Sequence, residues 1–262
     1  MSLMYLITFA SDAVANRSEI DALDDALTRM PGVVHALIHL PVAAASSATY
    51  VNADPTPALA LQIYFADINA LEAACGRGGA MGGLPEHVPS LARTEIRHQA
   101  MLARHFAVPD PVFRTPVGEL PVCNLVTYPG PAEDERIWLA YYLVIHAPIM
   151  ARQPGIRELE ISMRIDWVDD LPWRRMNVMQ ANKVVFDSAE ALDASHDSPV
   201  MTELREDYAM FPPFRGGNSH FAMRTRTVRL PGLAASPRGL DASLASPGPM
   251  AEARGGEGGD VR

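Results

Sequence analysis

Four short landmarks occur twice in this chain, in the same order. Leu6-Ile7-Thr8-Phe9 returns as Leu125-Val126-Thr127-Tyr128, and Pro31-Gly32 returns as Pro154-Gly155. Phe65-Ala66-Asp67 with Ala70-Leu71 returns around Phe186-Asp187 with Ala191-Leu192. His98-Gln99-Ala100-Met101 with Arg104 returns as His220-Phe221-Ala222-Met223 with Arg226. All four offsets fall between 119 and 123 residues. A nearly constant offset predicts an internal duplication, the pattern to be sought before any other because it decides the whole architecture.

Each half reads as β-α-β-β-α-β. In the first, strands are expected over Tyr5–Ala10, Val33–Leu40, Leu59–Phe65 and about Glu95–Ala107, and helices over Ser18–Met30 and Ile68 to about Arg77. Ser18 with Asp21 resembles a capping box, and the Gly-rich 76–83 stretch is expected to fray the second helix. In the second, Pro121–Tyr128 is a short apolar strand, broken by Pro129-Gly130-Pro131. Glu133 to about Gln153 has helical composition, with Ile137, Tyr141, Val144 and Ile145 at helical spacing. Leu159, Ile161, Met163 and Ile165 alternate with Glu158, Glu160, Ser162 and Arg164, the pattern of a half-buried strand. A third strand follows to Phe186, then a helix over Ala189–Tyr208 interrupted near Pro199, then a last strand over His220–Leu230. The expected class is therefore α+β: two tandem ferredoxin-like βαββαβ repeats whose antiparallel sheets bury their bare faces on each other, a pseudo-dimeric α+β barrel. The units would be 1–110 and 120–230. Residues 231–262, rich in Gly, Pro, Ala and Ser and without an aromatic residue, are expected to stay disordered.

Composition excludes several function classes. Net charge is −9 with 22 basic residues, of which only Lys183 is a lysine, so no nucleic-acid partner is expected. The first residues lack the basic start of a signal peptide, and no apolar run is long enough to span a bilayer. Cys75 and Cys123 make neither a disulfide framework nor a zinc set, and a cytoplasmic protein is the simplest expectation. No metal-ligand spacing, dinucleotide loop or nucleophile elbow occurs, so no metal and no cofactor are expected.

The second half carries Tyr141-Tyr142-Leu143-Val144-Ile145-His146-Ala147-Pro148, then Pro154-Gly155-Ile156, Val185-Phe186-Asp187-Ser188-Ala189-Glu190-Ala191-Leu192, Ser198-Pro199, and Asp207 with Phe211. From about Leu120 to Leu230 this resembles the EthD-like family of the dimeric α+β barrel superfamily. The first half lacks the signature, with Leu23 in the place of His146. The resemblance implies the barrel fold, a small-molecule ligand and a catabolic setting, but no single reaction.

His146 is the candidate catalytic group, a neutral imidazole suited to moving a proton near pH 7. Tyr142 and Met150, four residues either side, share its helical face. Pro148 deprives the Val144 carbonyl of its helical donor, so the helix should open locally. A structural reading stands beside this one: His146 satisfies a buried carbonyl at the kink. Trp167 and Trp173 flank a loop that could cover an aromatic ligand, or simply pack a hairpin. Asp207 is expected to cap or to pair with an arginine. His35 and His39 are expected at an interface or rim, roughly 13 Å apart along their strand and unable to share a metal. His98 and His220 look structural, and His220 is kept as a pocket residue. Two functions follow: a cofactor-independent lyase (dehydratase or decarboxylase) or isomerase using His146, with Tyr142, Met150, Trp167, Trp173 and His220 at the substrate; or a non-catalytic small-molecule-binding or accessory protein of a degradation pathway. A homodimer of the fused pair is a further expectation.

Overall fold

The computed structural model describes residues 1–42 and 54–230. The first half holds β1 (Ser2–Ala10), α1 (Arg17–Arg29), β2 (Val33–Pro41), β3 (Leu59–Phe65), α2 (Ile68–Cys75) and β4 (Glu95–Phe106). The second holds β5 (Val122–Tyr128), α3 (Glu135–Tyr141), α4 (Ala147–Met150), β6 (Ile156–Arg164), β7 (Arg174–Arg175), β8 (Gln180–Phe186), α5 (Ala189–His196), α6 (Pro199–Tyr208) and β9 (Ser219–Thr227). The Gly-rich stretch after α2 coils into short 3-10 turns over Ala80–His87 and Pro89–Leu91.

The expectation of two tandem ferredoxin-like repeats, each with its own antiparallel sheet packed on the other, is overturned. The strands form one sheet in the order β1-β3-β2-β9-β5-β8-β6-β4, and β4 pairs back onto β1. The ladder passes from one half to the other at β2–β9 and β4–β6, both antiparallel. The result is a closed eight-stranded antiparallel β-barrel with few helices outside it, α+β overall, with β7 as a short parallel appendage on β4. Closure leaves no bare sheet face to pack, and it removes the unpaired edges that separate sheets would expose.

Alternation sends one set of side chains outward beneath the helices and the other into the barrel. Tyr5, Ile7, Phe9, Leu23, Leu27, Leu61 and Ile63 form the outer core of the first half. Trp138, Tyr142, Leu159, Ile161, Val184 and Phe186 belong to that of the second. Met4, Leu6, Leu37, Met101, Leu125, Val185 and Met223 fill the barrel itself. Two readings change with this. Glu160 and Ser162 face the barrel interior at 0% and 2% exposure, so β6 is buried on both faces and not on one. His39 is also inside, bonded to Thr225 and Gln62, so it is no rim residue.

Helix ends follow local chemistry. Asn16, not Ser18, caps α1: its side chain accepts from the Glu19 amide while the Glu19 carboxylate accepts from the Asn16 amide. Both Pro-Gly pairs fall where helices have ended. At Gly32, φ is +78° and a Cβ would stand 2.6 Å from that of Ala70, so only glycine fits. Residues 231–262, where disorder was expected, lie outside the described residues.

Candidate active site

The helix that runs from Glu135 to Met150 changes gauge in its middle. Tyr142–His146 form a π-helical turn, and the Ala147 amide donates to the Tyr142 carbonyl. Such turns are rare and frequent at functional sites. Pro148 lies just beyond it, where the missing N–H was expected to open the helix. The inward stripe is Trp138, Tyr142, His146 and Met150, all within 6% exposure. Ile137, Val144 and Ile145, read from spacing as the apolar face, point to solvent.

His146 is held by a carboxylate. Its Nδ1 lies 2.7 Å from Asp207 Oδ2 at the end of α6, and both side chains are more than nine-tenths buried. The expected cap or arginine partner of Asp207 is thus replaced by an imidazole. The other carboxylate oxygen, Oδ1, accepts from the Tyr141 hydroxyl at 2.7 Å. A carboxylate only accepts, so Nδ1 carries the proton and Nε2 is left as the basic nitrogen. Among the described residues Nε2 makes no hydrogen bond. Burial pushes the imidazole pKa below its ordinary value, and Asp207 pulls the other way. The outcome is a neutral imidazole with a fixed tautomer.

Around it stand aromatic rings. Tyr142 and Phe211 lie 4.7 and 4.8 Å from the imidazole, centroid to centroid. Trp138 stacks on Tyr142 at 5.1 Å, and Tyr128 and Phe214 complete the cluster. Beneath them β8 contributes amides: Asn182 Nδ2 donates to the Tyr142 hydroxyl at 2.6 Å, and Gln180 Nε2 donates to Asn182 Oδ1 at 2.7 Å. Among the described residues, Gln180 Oε1 is buried without a hydrogen-bond partner, as is Trp138 Nε1. Burial raises the Tyr142 phenol well above its ordinary value. A shallow depression lined by Pro131, Ala132, Glu133, Pro213, Phe214 and Arg215 opens outside this cluster.

The structure brings His146, Tyr142 and Met150 together, the Tyr142 hydroxyl lying 3.4 Å from Met150 Sδ. His220 is on the same side of the sheet: Asn124 Nδ2 is 3.3 Å from its Nδ1, and burial with nearby His196 and His146 pushes it down to about 3. Trp167 and Trp173 are elsewhere. They pack in the first half, 5.9 and 5.6 Å from His98, whose Nδ1 meets the Tyr5 hydroxyl. Sequence reasoning missed Asn182 and Gln180. Their signal was present, two amides at alternate positions of a strand that is apolar apart from them and Lys183. Asp207 had a signal only as the Asp-x₃-Phe pattern, since 61 residues separate it from His146.

No family model and no curated protein sequence matches the chain. Solved structures do. An anthrone oxidase-like protein is 16% identical, with 90% of this chain and 96% of that one covered, at a TM-score of 0.57. A putative monooxygenase from Fusobacterium nucleatum subsp. nucleatum ATCC 25586 is 9% identical, with coverage of 88% and 96%, at 0.54. An EthD family protein from Bacillus halodurans C-125 is 17% identical, but covers 38% of this chain and 97% of its own at 0.31, which carries no argument. The first two likenesses establish a shared fold and nothing finer.

Proposed function

We propose that the chain binds a small apolar or aromatic molecule beside the π turn and uses His146 to move a proton on it, as a cofactor-independent lyase or isomerase. The observation that carries this is the shielded pair of His146 and Asp207, with Nδ1 engaged and Nε2 left to accept a proton. Asp207 holds the ring and stabilises the imidazolium once Nε2 has accepted. The aromatic rings supply an apolar wall, and the Tyr142 hydroxyl, held by Asn182, a polar contact for orientation. Trp167 and Trp173 are withdrawn from the substrate set because they sit against His98.

A second reading keeps the site but removes turnover. His146 is 6% exposed and bonded across from the π turn to α6, as a strut would be. Hydrogen exchange separates the two. The anthrone oxidase-like neighbour supplies the first compound to try, a carbon acid flanked by aromatic rings. In deuterated buffer the wild type should speed exchange at the acidic carbon, read by NMR. His146→Gln should slow it by about 100-fold or more, the usual share of a general base. Compounds that raise the melting midpoint but never exchange would leave a binding protein. Equal stabilisation of wild type and His146→Ala would move the ligand away from this site.

A further inference from the structure

Inside the barrel a second constellation lies apart from the His146 site. Lys183 on β8, Glu160 on β6 and His105 on β4 are direct cross-strand partners, forming one row over three adjacent strands. Glu158, two residues before Glu160, points to the same face. Tyr64 reaches the row from β3 and donates to Glu160 Oε1 at 2.8 Å. The chain's one lysine is 1% exposed, with Nζ 2.8 Å from Glu158 Oε1 and 3.6 Å from Glu160 Oε2. Two carboxylates face one ammonium, so the cluster is one positive charge short.

Glu160 Oε2 shows where the deficit falls. Glu160 is 0% exposed, and this oxygen has no hydrogen-bond partner among the described residues. A buried carboxylate oxygen left so is costly. Its neighbour His105 Nε2 stands 3.4 Å away, beyond ordinary hydrogen-bonding length. That separation has another meaning. Donors about 2.1 Å from a tetrahedral ion are about 3.4 Å from each other. One atom each of His105, Glu158 and Glu160 lie within 4.8 Å of one another. Side-chain exposures of 29% for His105 and 30% for Glu158 leave the row open to solvent at this end of the barrel.

We propose that His105, Glu158 and Glu160 form a divalent-cation site, selective for a first-row ion such as zinc, with Lys183 as the resident counter-charge that the ion displaces. An imidazole with two carboxylates leaves a fourth position free for water. The site was hidden in the sequence because its histidine lies 53 and 55 residues before its two carboxylates, which fits no short spacing.

Titration calorimetry of chelator-stripped full-length protein with Zn²⁺ tests this, with the visible spectrum of the Co²⁺ form as the second readout. One ion per chain is expected, weakened at least about tenfold in both His105→Ala and Glu158→Gln. Lys183→Met should tighten binding, because the competing ammonium is gone. If that variant fails to fold, the two partly exposed ligand variants still decide. Bound Co²⁺ should show low-coordinate bands without the charge-transfer absorption of a thiolate, which separates this site from Cys75 and Cys123. Binding no tighter in wild type than in the double variant His105→Ala/Glu158→Gln, or no binding at all, overturns the proposal.

Discussion

Asp207 spends both oxygens inside the fold, one on His146 and one on Tyr141. The Tyr141 bond is the adjustable one, because that tyrosine is only partly buried and water can replace its hydroxyl. Tyr141→Phe should therefore lower stability by about 1 kcal/mol, the net worth of one such bond. It should show as a lower urea midpoint at unchanged slope. An unchanged midpoint would mean the carboxylate is held by His146 alone. Half of this site was legible in the chain. His146, Tyr142 and Met150 share a face because four-residue spacing fixes that locally. Asp207 as the partner was not, since only tertiary packing brings α6 to the π turn.

Element boundaries were read closely. β3 is found over Leu59–Phe65 as expected, and α1 begins one residue before Ser18. The cap was misread, because Ser18 with Asp21 and Asn16 with Glu19 offer the same three-residue spacing. In the structure the Ser18 hydroxyl donates to Asn16 Oδ1 at 2.6 Å, so Ser18 supports the cap without being it. Asn16→Ala should cost about 1 kcal/mol, as loss of a cap does, and Ser18→Ala less. Chemical denaturation of the two variants ranks them, and the reverse order would restore Ser18 as the cap. β6 failed for a different reason. Glu158, Glu160 and Ser162 alternate with apolar residues, and alternation reports polarity, not water. Here the polar face meets the barrel interior, where Lys183 and Tyr64 answer it.

The joining of both halves into one continuous sheet was not legible, because the ladders at β2–β9 and β4–β6 are made by backbone groups that every sequence carries. The fold also keeps several imidazoles largely away from water. Burial pushes His39 and His220 down to about 3 and His35 to about 4, with the Lys183 charge adding at His35 and His39. In the unfolded chain each returns to about 6.5. Between these values the unfolded state binds more protons, so stability rises with pH there. It is complete above about 6.5 and falls as the solution is acidified. Near pH 5 unfolding should take up close to three protons from these residues, a slope of about 4 kcal/mol per pH unit. Glu158, held below its usual range by Lys183, loses stability in the same direction at lower pH. Urea midpoints measured from pH 7.5 to pH 5 should drop steeply below 6.5. His39→Gln should flatten that drop, since it removes one of the protons taken up. A profile flat to pH 5 would mean these imidazoles are not kept neutral by the fold.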